Sequence, residues 1–169
     1  MRGNSLSLIL KPVAEGMSVD APEPAAFETS EDVLYFACQA LRPYIDFDVT
    51  GFGCDSWPVT VETDLLVIVE QLPDTLQALR ATADFDLDFY EQGIERRIFF
   101  ERQGDDYRIR CFDAYEMAYV YDKMISRDDL AALLEPFFDA FVSMCRRYVP
   151  ELAAEPMFAE WVRGAKAGV

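Results

Sequence analysis

Residues 85–101, FDLDFYEQGIERRIFFE, decide the fold. In FDLDFY apolar and acidic side chains alternate, the two-residue period of a half-buried strand. Gly93 supplies the positive φ that a short hairpin loop needs. The chain returns as IERRIFFERQ (94–103), carrying arginines where the outgoing strand carried aspartates. A second turn at GDD, with Gly104 in the same role, leads into YRIRCFDA (107–114). The whole reads as a three-stranded antiparallel meander, and AYEMAYVYDK (114–123) as a fourth, less regular strand.

Alternation sorts the side chains. Phe85, Leu87, Phe89, Ile94, Ile98, Phe100, Tyr107, Ile109 and Cys111 fall on one face, which is the core side. Asp86, Asp88, Tyr90, Glu95, Arg97, Glu101, Arg108 and Arg110 fall on the other. Arg96 lands on the apolar side unless a bulge near Gly93 moves it out. Opposite charges across strands explain this polar face as the wet side of a sheet, with no catalytic role required. Paired carboxylates do acid–base chemistry only in a cleft that separates their pKa values, and alternating strand aspartates indicate none.

Around the meander the period changes. SLSLILKPV (5–13) alternates weakly and fits a first strand; residues 14–28 are rich in Pro, Ala and acid and read as an exposed loop. Residues 29–44 read as a helix capped by Ser30, with Glu31 and Asp32 at the positive end of its dipole and Pro43 at its stop. Residues 44–49 return to period two, with Ile45, Phe47 and Val49 inward and Asp46 and Asp48 outward. VTV (59–61) is expected to resume a strand. A helix capped by Thr63 follows over 62–82, kinked or split at Pro73. SRDDLAALLEPFFDAFVSMCRRY (126–148) is the clearest helix, capped by Ser126 and interrupted at Pro136. Residues 155–164 form a short last helix, started by Pro156 and ended by Gly164.

With 169 residues and a hydrophobic fraction of 51%, the chain suits one domain, residues 1–169, around an aromatic-rich core. The expected class is α+β: a mainly antiparallel sheet with amphipathic helices packed on one face. Fifteen Lys and Arg against 31 Asp and Glu give a net charge of −16. That field repels nucleic acid and anionic membrane, and attracts cations and basic proteins. It serves solubility, a charge-matched partner, or both. The chain has no histidine, and its four cysteines form no CxxC pair. Most zinc sites and every His-based triad are thereby excluded. No phosphate loop, dinucleotide fingerprint, nucleophile elbow or calcium loop occurs. No catalytic, metal or cofactor-binding residue is therefore nominated, and no cofactor is expected. No secretory leader or membrane span is legible, which points to a reducing cytoplasm.

GFGCDSW (51–57) breaks the pattern differently. An aromatic and acidic loop has the composition of a protein-binding hot spot. Phe52, Asp55 and Trp57 are the candidate partner-binding anchors, with Asp46 and Asp48 as their charged surround. The alternative is that Phe52 and Trp57 tuck into the core. Cys54 lacks a basic neighbour in the loop to stabilise a thiolate.

Four segments together — the capped first helix, SWPVTV…DLL, FYEQGIERRIFF and SRDDLAALLEPFFDAFV — resemble small bacterial immunity proteins of polymorphic-toxin and contact-dependent inhibition systems. The resemblance lies in organisation over residues 30–162 rather than in a motif. It implies a small acidic cytoplasmic protein that neutralises a cognate toxin, a basic partner, by binding it. Two other classes stay open: a small-ligand or enzyme module with a carboxylate and tyrosine pocket, and a structural, oligomeric subunit.

Overall fold

The computed structural model describes residues 5–13, 27–91 and 93–167. In chain order it runs β1 (Ser7–Pro12), α1 (Ser30–Leu41), β2 (Ile45–Thr50), then a π-helical turn (Val61–Leu65) leading into α2 (Leu66–Arg80). Next come β3 (Phe85–Phe89), β4 (Arg96–Gln103), β5 (Asp106–Asp113), β6 (Ala118–Ser126), α3 (Arg127–Tyr148), α4 (Pro150–Ala153) and α5 (Pro156–Lys166). This is an α+β fold with helices packed against antiparallel sheet. The strands form two sheets: β1 with β2, and β3-β4-β5-β6 in sequential order. Of the loop expected at 14–28, residues 14–26 lie outside the described residues, and Phe27 packs its ring on Phe36 at 5.6 Å.

The meander follows the sequence pattern closely. Ile98 sits between Leu87 and Cys111, and Phe100 between Phe85 and Ile109. Except for half-buried Phe85, every residue assigned to the inner face is buried. They join side chains of both sheets and all five helices in one continuous core. Two expectations about the loops change. The connection after β3 runs over 90–95 and buries Ile94. The bulge lies between Cys111 and Phe112, where β5 meets β6, and not near Gly93.

Helix starts differ from the simplest reading. α1 is capped by Thr29, not Ser30: its hydroxyl accepts from Asp32 N at 3.2 Å, and the Asp32 carboxylate accepts from Thr29 N at 3.1 Å. That reciprocal pair satisfies two orphan amides at once. VTV does not resume a strand, because Val61 already opens the π-helical turn. Thr63 lies inside that turn and caps nothing. Buried Asp64 instead gathers Thr60 N at 2.7 Å and the hydroxyls of Thr60 and Thr63. Ser126 caps α3 as expected, accepting from Asp129 N at 3.0 Å.

Both inner prolines are carried within continuous helices. Pro73 has no amide proton, so the carbonyl of Val69 one turn back loses its helical donor. Trp161 of α5 supplies the replacement, its Nε1 donating to Val69 O at 3.1 Å. This explains why α5 docks there. Gly164 does not terminate α5; it lies inside the helix, where a Cβ would stand 3.8 Å from the Pro73 Cβ. Its carbonyl accepts from Gln77 Nε2 at 2.9 Å.

Candidate functional site

The loop at 51–57 resolves toward the core. Gly51, Phe52 and Gly53 all have positive φ (135°, 52° and 80°), and Gly51 and Cys54 bond reciprocally at 2.9 and 3.0 Å. The tight reversal turns Phe52 inward, 5% exposed, against Tyr121 at 4.7 Å. Trp57 is 3% exposed, packs on Phe89 at 5.1 Å, and donates from Nε1 to Gly51 O at 3.3 Å. The structure thus places two of the nominated anchors together, inside the molecule, and leaves Asp55 exposed. Asp46 is exposed on β2, while half-buried Asp48 is ion-paired with Lys11 of β1. The acid of β2 is therefore partly neutralised by a strand about 40 residues earlier in sequence, a pairing that local pattern does not reveal.

Arg96 stays on the inner side, as alternation dictates, and the fold accommodates it. Its guanidinium lies 4.7 Å above the Trp57 ring, and its Nε donates to Asp113 Oδ2 at 2.9 Å. Asp113 is buried. Burial would raise its pKa, but the bonds from Arg96 and from the amides of Glu116 and Tyr115 hold it below the usual carboxylate range.

The outer face of β3–β6 carries the ion pairs expected from the sequence, set diagonally rather than straight across. Arg97 Nε donates to Asp86 at 2.7 Å, although Arg97 stands opposite Asp88 in register. Arg110 pairs with Glu101, and Arg108 with Asp122. Between these pairs runs an aromatic strip that the charge pattern obscures: Phe99, Phe112 and Tyr119, with Phe112 and Tyr119 5.4 Å apart. Arg110 covers the Tyr119 ring at 4.4 Å and Arg97 the Phe99 ring at 5.2 Å.

One end of this face is concave. A hollow of about 500 Å³ is lined by Asp88, Tyr90, Glu95, Phe99, Phe112 and Tyr119, with Arg96, Arg97 and Ala114 beside them. Two loops build its rim and are bonded to each other. Ala114 N donates to Glu95 O at 3.0 Å, and Tyr115 Oη donates to Glu95 Oε1 at 3.3 Å. Gly93 N donates to Tyr115 Oη at 3.2 Å. Glu95 and Met117 both hold positive φ (44° and 51°), a conformation that costs about 1–3 kcal/mol for a side chain of this kind. The result is a fixed tip on which Tyr115 is 62% exposed, Met117 76% and Tyr119 51%. Asp88, inside the hollow, is raised by burial and by Asp86, against the lowering pull of Arg97. Sequence reading treated 114–123 as strand, so Tyr115 and Met117 went unnominated. The signal available was a strand pattern interrupted by AYEMA, which lacks alternation.

A second hollow, about 260 Å³, lies where α1, α2 and α5 meet and is edged by Glu31, Glu70, Asp74 and Glu160. Burial raises the pKa of Glu70, and Glu31 adds to it. Among the described residues no group of three or more His, Cys, Asp or Glu is arranged to hold a metal ion. The thiols of Cys38, Cys111 and Cys145 are pushed up by burial, Cys111 to about 12, which makes them poor nucleophiles. No helix among the described residues is long and apolar enough to cross a membrane.

Comparison with protein-family models, curated proteins and solved structures finds no match to this chain. The functional reading therefore rests on the geometry of the site.

Proposed function

We propose that this chain is a protein-binding module that takes up a basic partner on the open face of the β3–β6 sheet. The toxin-neutralising role implied by the resemblance to immunity proteins is the specific form of that reading, exercised in a reducing cytoplasm by a protein with four free cysteines. The observation that carries it is the exposed tip of Tyr115, Met117 and Tyr119 beside a hollow whose lining includes the carboxylates of Asp88 and Glu95 and the guanidinium groups of Arg96 and Arg97. Tyr, Met and Arg are the residues enriched at protein interfaces, and apolar side chains held open at the cost of backbone strain have no role in the core. The net charge of −16 supplies steering toward a basic surface, and Asp88 and Glu95 supply carboxylates at the point of contact.

The test is capture of partners from native lysate on the tagged protein, washed at low and then high salt, in parallel with a Tyr115→Ala, Met117→Ala double variant. A basic protein held stoichiometrically, weakened by salt and lost from the variant is the expected result. Equal capture by the variant moves the interface elsewhere. Capture of nothing by either form returns the acid to solubility alone.

A second reading takes the same hollow as a small-ligand site, since Asp88 and Tyr90 give it a carboxylate of raised pKa beside a tyrosine. A metabolite retained through purification, with no protein partner captured, would favour it.

A further inference from the structure

The four-stranded sheet has two edges, and they are finished differently. At β3 the edge is covered at Asp88 by a side chain: Gln71 of α2 accepts from Asp88 N at 2.9 Å and donates to Asp88 O at 3.0 Å. At β6 nothing comparable occurs among the described residues. The strand is the last in the sheet, and among the described residues no backbone hydrogen bond leads outward from it. Asp122, Lys123 and Met124, on both faces of the strand, are exposed in succession. A nine-residue strand with its outer amides and carbonyls open is a template for another strand.

Resting on the basic-partner reading above, we propose that the partner docks by adding an extended segment to the free edge of β6. The chemistry of this edge specifies that segment. On the outer face a new strand would lie beside Tyr119, Asp122 and Met124; on the inner face, beside Tyr121, Lys123 and Ile125. Carboxylates gather at the Ser126 end of β6. Asp105, Asp106, Asp128 and Asp129 are exposed near its Ser126 end, and Glu116 near its start. An extended segment with basic residues outward and apolar residues inward matches this edge. A second copy of the same chain does not match it: two molecules of net charge −16 repel, and Lys123 on the strand disfavours apolar self-pairing.

The probe is a ten-residue peptide alternating lysine and valine. A glutamate–valine peptide and a peptide of the same composition in Lys-Lys-Val-Val order serve as controls. Binding to the full chain is read by amide hydrogen exchange at single-residue resolution. Strand addition slows exchange at every second residue of β6, by at least about tenfold, since only alternate amides point away from β5. Lys123→Pro and Met124→Pro form the blocking pair. One directs its lost N–H at β5 and is expected to disturb the fold. The other directs it outward, folds normally by circular dichroism, and loses the protection. Binding without alternate β6 protection overturns the edge proposal while the basic-partner reading stands. No binding by the Lys–Val peptide also overturns it, and the lysate capture then decides the wider reading separately.

Discussion

The two faces of the β3–β6 sheet come from the same strands, offset by one residue. The inner face, from Leu87 and Ile98 to Ile109 and Cys111, is sealed under helices. The outer face lies open, with its charges matched pair by pair and its aromatic strip roofed by arginines. Burial of a large apolar side chain stabilises by roughly 1.5–3 kcal/mol, whereas exposed ion pairs contribute little and are screened by salt. The inner face therefore fixes the fold, and the outer face is free to carry function. The contrast sharpens at the end of the sheet, where Tyr115 and Met117 are neither buried nor covered.

The largest effect expected is on the inner side. Trp57→Ala should lower unfolding free energy by about 3–5 kcal/mol in denaturant titration, since it empties a core site and uncovers Arg96. A near-neutral result would return Trp57 to the surface and erase the distinction drawn for the 51–57 loop.

Asp113→Asn tests the boundary between the faces. Leaving Arg96 without its carboxylate should cost about 1–3 kcal/mol at neutral pH. The folded pKa of Asp113 lies below its unfolded value, so its contribution is complete above the ordinary carboxylate range and is lost as pH falls through the folded pKa. The gap between wild type and variant should accordingly narrow from about pH 4 downward. A gap that stays constant in acid would show that the charge is not what matters.

On the outer face Tyr119→Ala should change stability by less than about 1 kcal/mol while abolishing partner capture, a split that a core residue cannot show. Thermal melts and the lysate capture read the two quantities separately. A smaller effect, of opposite sign, is expected where acid gathers without arginines. Glu70→Gln should stabilise by roughly 0.5 kcal/mol at neutral pH, because the raised folded pKa marks a carboxylate that the fold disfavours. Since the folded pKa is raised, the penalty appears as pH rises above the unfolded value, and the two proteins should converge below about pH 4. Destabilisation by Glu70→Gln would instead reveal an unseen favourable contact.

Much of this molecule was legible because its signals are local. Period-two alternation from Phe85 to Cys111 placed the strand side chains it assigned on their observed faces, including the awkward Arg96. The apolar spacing of residues 126–148 marked α3 as a helix, and Ser126 as its cap. The misses at the helix starts share one cause. Thr29 over Ser30, and a π-helical turn in place of VTV strand, depended on which of several adjacent hydroxyls and carboxylates found an orphan amide at the helix start. Phe52 and Trp57, expected as exposed anchors, lie in the core, because composition cannot tell an aromatic loop that folds inward from a turn that holds its rings outward.

The sequence by itself determined the class of fold, the inward and outward faces of the meander, and a net charge of −16. These follow from dihedral periodicity and from counting. Only the tertiary structure decided that Phe52 and Trp57 belong to the core, that Lys11 answers Asp48, and that Trp161 supplies the donor Pro73 removes. Each of these joins residues distant in the chain or turns on a reversal only a few residues long. Their energies arise from desolvation and close packing, which exist only once the chain has closed on itself.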